Sequence, residues 1–79
     1  MKNEKLSRIR NLLYKPLKLE VLKELCEGFA IAVRSTDAGD DNYTMLEFIS
    51  LEDKQLGLWK EHMLNKLPLS RYLEVYECR

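Results

Sequence analysis

The sequence is poor in the residues from which most active sites are built. It has one histidine, His62, and no serine, cysteine or carboxylate placed beside it as a partner, so a nucleophile–base pair has no candidate. Its neighbour Glu61 would project about 100° away from it on a helix. Cys26 and Cys78 stand far apart with no Cys-x-x-Cys, which is neither a disulfide framework nor a zinc pattern. Two unpaired cysteines make a reducing cytoplasm the simplest setting, host cytoplasm if the source is viral. No phosphate-cradling loop is present. No apolar run approaches the ~18 residues of a membrane span, and no apolar segment follows the basic N-terminus as in a signal peptide. Thirteen basic residues cancel thirteen acidic ones, so no overall field draws the chain onto nucleic acid. The expectation is a protein without enzymatic activity, cofactor, metal or membrane span.

What is present is enough to fold. Apolar residues make up 46% and charged residues 33% of the 79, the balance of one small domain spanning residues 1–79. A core of this size leaves a narrow stability margin, which a homodimer or another partner would widen. Charge is unevenly placed. Residues 1–18 carry Lys2, Lys5, Arg8, Arg10, Lys15 and Lys18 against Glu4 alone. Residues 35–53 carry Asp37, Asp40, Asp41, Glu47, Glu52 and Asp53 with no base. If folding keeps these segments apart, they form a basic and an acidic patch.

The chain is organised around Ile49–Leu67, which reads as one helix. Ser50 is a good N-cap, Ser50-x-x-Asp53 has the form of a capping box, and Glu52 and Asp53 oppose the positive end of the dipole. Leu56, Trp59, Met63 and Leu67 recur at helical spacing, and Pro68 ends the run. Leu58 falls on the polar side with Lys54, Glu61 and Asn65, against another element or left for a partner. Gly57 weakens the helix by about 1 kcal/mol relative to alanine.

Residues 3–14 predict a basic amphipathic helix with Leu6, Ile9, Leu12 and Leu13 on one side and Arg8 and Arg10 flanking them, so that residues 1–15 form a peripheral segment. Pro16 suits the first turn of a second helix over Leu17–Glu27, with one kinked helix over 3–27 as the alternative. Cys26 lies in its apolar arc as a core residue, and Gly28 closes it. Phe29–Ser35 and Tyr43–Ile49 predict a hairpin about the polar turn Thr36–Asn42. Asp37, Asp40, Asp41 and Asn42 are oxygen ligands, but their spacing is not that of a calcium loop, and they read as turn formers. Leu69–Cys78 predicts the last strand.

The resulting architecture is α+β, order α-α-β-β-α-β. Its three-stranded antiparallel sheet, spatial order 2-1-3, packs on helices. Phe29, Ile31, Val33, Leu46, Phe48, Leu73 and Val75 are expected on the core face, under the central and second helices. Ala30, Ala32, Arg34, Tyr43, Met45, Glu47, Ile49, Tyr72, Glu74 and Tyr76 fall on the other face, covered by the first helix or exposed.

The exposed alternative has the composition of a binding surface. Arg34, Tyr43, Met45, Tyr72 and Tyr76, with Leu58, are the candidate partner-binding residues. The expected function is a small intracellular regulator or inhibitor that occupies a surface of a larger protein or complex. Small size without a motif also fits phage or mobile-element regulators, a prior carried by no residue. The alternative is nucleic-acid binding through Lys5, Arg8, Arg10 and Lys15. The αββαβ order suits KH-like folds, but no Gly-x-x-Gly loop is present, and Glu47 and Glu74 would repel phosphate.

Overall fold

Phe29–Ser35 alternates large and small apolar residues, a pattern suited to a strand covered on both sides. In the computed structural model, which describes residues 2–35, 41–66 and 73–79, this segment is β2. Around it stand α1 (Lys2–Arg10), β1 (Pro16–Lys18), α2 (Leu19–Leu25), β3 (Asn42–Ser50), α3 (Leu56–Leu64) and β4 (Leu73–Cys78). The α+β class is as expected. The sheet has four strands rather than three, ordered β1-β3-β2-β4: β1 is added at the edge beyond β3, next to the expected strands in the order β3-β2-β4, and every pairing between its strands is antiparallel.

The added strand is Pro16–Lys18, which the sequence places in the first turn of a helix. It pairs with β3, Leu17 opposite Tyr43. Proline's fixed φ and missing N–H suit a sheet edge as well as a helix start. Lys18 is still extended, with φ −66 and ψ 144, so α2 begins only at Leu19. The first helix stops at Arg10, short of residue 14. Tyr14 then takes a left-handed φ of 66, and its N–H donates to the Met45 carbonyl at 3.0 Å. The two N-terminal helices are therefore separate elements.

Helices cover both faces of β2. Ile31 and Val33 are buried in a cluster with Ile9 of α1, Leu22 of α2, Cys26, Met45 and Cys78, against which Phe29 packs. On the other face Ala32 meets Met63 of α3 and Leu73, with Trp59, Leu46 and Val75 packed around them. The small side chains of Ala30 and Ala32, both fully buried, let α3 sit close to the sheet. The expected cover is thus exchanged: α1 joins α2 over the Phe29 face, and α3 covers the alanine face.

A bulge corrects the faces of β3. Ala32 pairs with Glu47 and Val33 with Met45, which leaves Leu46 as an extra residue. Past it the alternation is offset by one. Met45 and Phe48 share the α1/α2 layer, while Leu46 turns to α3. Strict alternation puts Leu46 with Phe48 and sends Tyr43 and Met45 to the opposite face. In β4, Tyr76 lies opposite Ile31 and Cys78 opposite Phe29, so these two join the α1/α2 layer and Leu73 and Val75 join α3. Both sides of β4 are partly apolar, so the strand's own pattern does not say which side faces which layer.

The long central helix is shorter than its pattern. β3 continues to Ser50, and a turn precedes α3. Ser50 Oγ accepts the Glu52 N–H at 3.2 Å, and Asp53 Oδ1 accepts the Gln55 N–H at 2.7 Å. These side chains hold the turn instead of capping the helix, the competing role open to Ser and Asp. Leu56, Trp59 and Met63 form the inner stripe, with Met63 buried. The expected turn residues 36–40, and the end of the helix and start of the last strand over 67–72, lie outside the described residues.

Candidate functional site

The candidate residues do not form one surface. Tyr43, Met45 and Tyr76 share a face, but α1 and α2 cover it. Met45 is fully buried, which corrects its place in an exposed face, and Tyr43 and Tyr76 are half-buried against the same core. The Tyr76 hydroxyl donates to Glu74 at 2.9 Å, and Lys23 Nζ stands 4.6 Å from its ring centroid. Burial, with the Glu74 carboxylate as its acceptor, pushes the Tyr76 phenol up to about 12. Arg34 is exposed and belongs to the α3 layer, opposite Leu73. Tyr72 lies outside the described residues. Leu58, on α3, is 65% exposed.

The two cysteines, distant in sequence, meet in one buried cluster. Cys26 lies on the far side of α2 from solvent, with its thiol 3.8 Å from the Met45 sulfur. Burial, then the neighbouring Cys78, pushes the Cys26 thiol up to about 11, and burial raises Cys78 too. Both are thiols at neutral pH, and a thiol is a poor nucleophile and a poor metal ligand.

The outer face of α3 is the least satisfied part of the helical surface. Met63 points to the sheet, while Leu58 and Leu64 stay 65% and 48% exposed. Gly57 shares the flank of Leu64, two turns before it, about 100° around the helix from Leu58. A Cβ added at Gly57 would meet nothing within 4 Å, so packing within the chain does not require the glycine. The inner side is anchored by charge as well as by Met63. Lys60 pairs with Glu77 of β4, which also pairs with Arg79, and Lys66 pairs with Glu47 of β3 at 3.2 Å. The hydrogen bond from Lys60, then that from Arg79, holds the Glu77 carboxyl below its ordinary range.

On the opposite layer, α1 and α2 leave an open groove of about 720 Å³ between them. Lys5, Arg8, Leu12, Glu24, Leu25 and Glu27 are among its lining residues, with Glu4 and Asn11 on the α1 side. The basic residues of the nucleic-acid alternative are thereby divided. Lys5 and Arg8 line this groove together with acids, and Lys5 Nζ stands 5.8 Å from the Phe29 ring centroid. Arg10 and Lys15 are exposed outside it.

Sequence reasoning missed Leu64 and the groove. Val21 and Leu25 fall within the apolar arc of the second helix, yet they are 40% and 49% exposed, because the residues of that arc facing the core are Leu22 and Cys26, both buried, with Leu17 and Leu19 packed against them. An apolar arc wider than the buried stripe is the signal that could have pointed there. Comparison with protein-family models, curated proteins and solved structures finds no match.

Proposed function

We propose that the chain is a protein-binding module that acts by occupying a surface of a larger protein, and that the outer face of α3 is its docking surface. The observation that carries this reading is the pairing of exposed Leu58 and Leu64 with Gly57 on one short helix. Outward leucines leave apolar area in water that a partner could cover. Gly57, in the first turn of α3, is a poorer helix former than alanine. Both become useful when a partner's backbone approaches Gly57 closely and its apolar groups cover the leucines. Lys60–Glu77 and Lys66–Glu47 hold α3 against the sheet, so the leucines are presented on a pre-organised helix. Regulation or inhibition would follow from blocking whatever that partner surface otherwise contacts. The nucleic-acid reading is less favoured, because Glu4, Glu24 and Glu27 lie beside Lys5 and Arg8 and repel phosphate.

The test is affinity capture from nuclease-treated native lysate with the wild-type chain and with Leu58→Glu and Leu64→Glu, each checked by circular dichroism. A stoichiometric protein held by the wild type and lost by both folded variants supports the α3 surface. Equal recovery by all three removes it. Recovery that depends on nucleic acid instead favours Lys5, Arg8, Arg10 and Lys15.

A further inference from the structure

The groove between α1 and α2 carries unlike charges on its two walls. Lys5 and Arg8 stand on the α1 wall, and Glu24 and Glu27 on the α2 side. Glu4, one turn before Arg8, adds one acid to the two bases of that wall. Arg8, Glu24 and Glu27 make no ion pair among the described residues, although they line the same groove. Open space separates charges that would otherwise neutralise one another. Leu12 and Leu25 add apolar surface between them, and exposed Val21 continues it one turn along α2 from Leu25.

We propose that a second copy of this chain fills the groove, giving a two-fold symmetric dimer in which each α1 lies against the other copy's α2. An occupant that satisfies this groove must bring acid to one wall and base to the other. A purely acidic or purely basic ligand meets attraction on one side and repulsion on the other. The chain itself carries the required arrangement. A two-fold axis running along the groove sets Lys5 and Arg8 of each copy opposite Glu24 and Glu27 of the other, so every charge pair is made twice. The same operation lays the Leu25–Val21 stripe of each copy against the other copy's α1 and removes it from water. A domain of this size, with a small core of its own, gains proportionally from that shared burial. The surface is on the opposite layer from α3, so dimerisation leaves Leu58 and Leu64 free.

The experiment is sedimentation equilibrium of the wild type, Arg8→Glu and Glu24→Arg, over concentrations from micromolar to millimolar and at low and high salt. Both substituted side chains are exposed, so thermal melting should confirm that each variant folds. The wild type should sediment at twice its 9.4 kDa mass and weaken as salt is raised. Each variant alone sets like charges face to face, and should dissociate at least about tenfold more readily. An equimolar mixture of the two variants should recover dimers, because Glu at position 8 of one chain then meets Arg at position 24 of the other, and the second pair is unaltered. A wild type that stays monomeric throughout, variants that dimerise as well as the wild type, or a mixture that remains monomeric would each overturn the proposal. Leu58→Glu should dimerise normally, which separates a failure here from a failure of the α3 reading.

Discussion

The thiol of Cys26 and the thioether of Met45 lie 3.8 Å apart where α2 meets β3 beside its bulge. Met45 also accepts the Tyr14 N–H through its carbonyl and bridges to Leu13. One residue thus joins the turn after α1, the base of α2 and the centre of the sheet. Met45→Ala should cost about 2–5 kcal/mol in urea unfolding, a large part of the ~5–15 kcal/mol of a typical domain. Met45→Leu keeps the volume and should cost less than about 1.5 kcal/mol. Equal losses for the two variants would show that volume at this position is not what holds these elements.

The same burial governs thiol chemistry. In the folded chain Cys26 and Cys78 should react with a disulfide reagent near neutral pH only as fast as the chain opens, and at the ordinary thiol rate in denaturant. Their raised values also set an alkaline limit. A group raised by folding leaves stability intact below its unfolded value, about 8.5 for a thiol. Stability is then lost as pH rises toward about 11 for Cys26 and about 12 for Tyr76. Each group adds at most about 1.4 kcal/mol per pH unit to the slope. Urea midpoints measured between neutral and alkaline pH should fall, and Cys26→Ala should shallow the slope whatever it does to the midpoint at neutral pH.

The class of the fold and the span of β2 are legible in the sequence because Phe29–Ser35 has both alternation and β-branched residues. Gly28, at φ 94, also takes the left-handed conformation expected where a glycine closes a helix. The layers are not legible. The bulge at Leu46 inserts one residue without any glycine to announce it, and it moves Met45 from the supposed outer face into the core. Ser50 and Asp53 suit a helix cap and a tight turn equally, and the sheet's pairing of Ser50 with Phe29 decides for the turn. Pro16–Lys18 is three residues long, too short for periodicity, and only its contact with β3 makes it a strand. Of the candidate site, Leu58 was visible because it broke the helical pattern. The α1–α2 groove was not, since it depends on how two helices are spaced over the sheet.

Gly57→Ala should stabilise the isolated chain by roughly 0.5–1 kcal/mol, because alanine is the better helix former and the new Cβ meets open space. Chemical denaturation reads the gain. If Gly57 serves close approach of a partner, the same variant should bind that partner more weakly while being more stable. A loss of stability would place another group against the glycine.

Acid should loosen the hold of α3 on the sheet. Glu77 lies on the α3 face of β4 opposite Ala30 and accepts from Lys60 of α3 and from Arg79. Lys60 brings it a positive charge from a different element, so ionised Glu77 ties α3 to the sheet, whereas a protonated carboxyl would not. Its value is lowered by folding, first by the Lys60 bond. A group lowered by folding contributes stability above its unfolded value, about 4.3 for a glutamate, and loses it as pH falls through the folded value. Urea midpoints should therefore drop as pH falls below the unfolded glutamate value. Glu77→Gln should lower stability at neutral pH and flatten that acid limb, so that wild type and variant converge in acid. Lys60→Met should flatten it in part, since Arg79 remains. High salt should weaken the difference because the pair is partly exposed to solvent. An acid limb as steep in Glu77→Gln as in the wild type would assign the dependence to other carboxylates and leave α3 held by Met63 and its apolar neighbours alone.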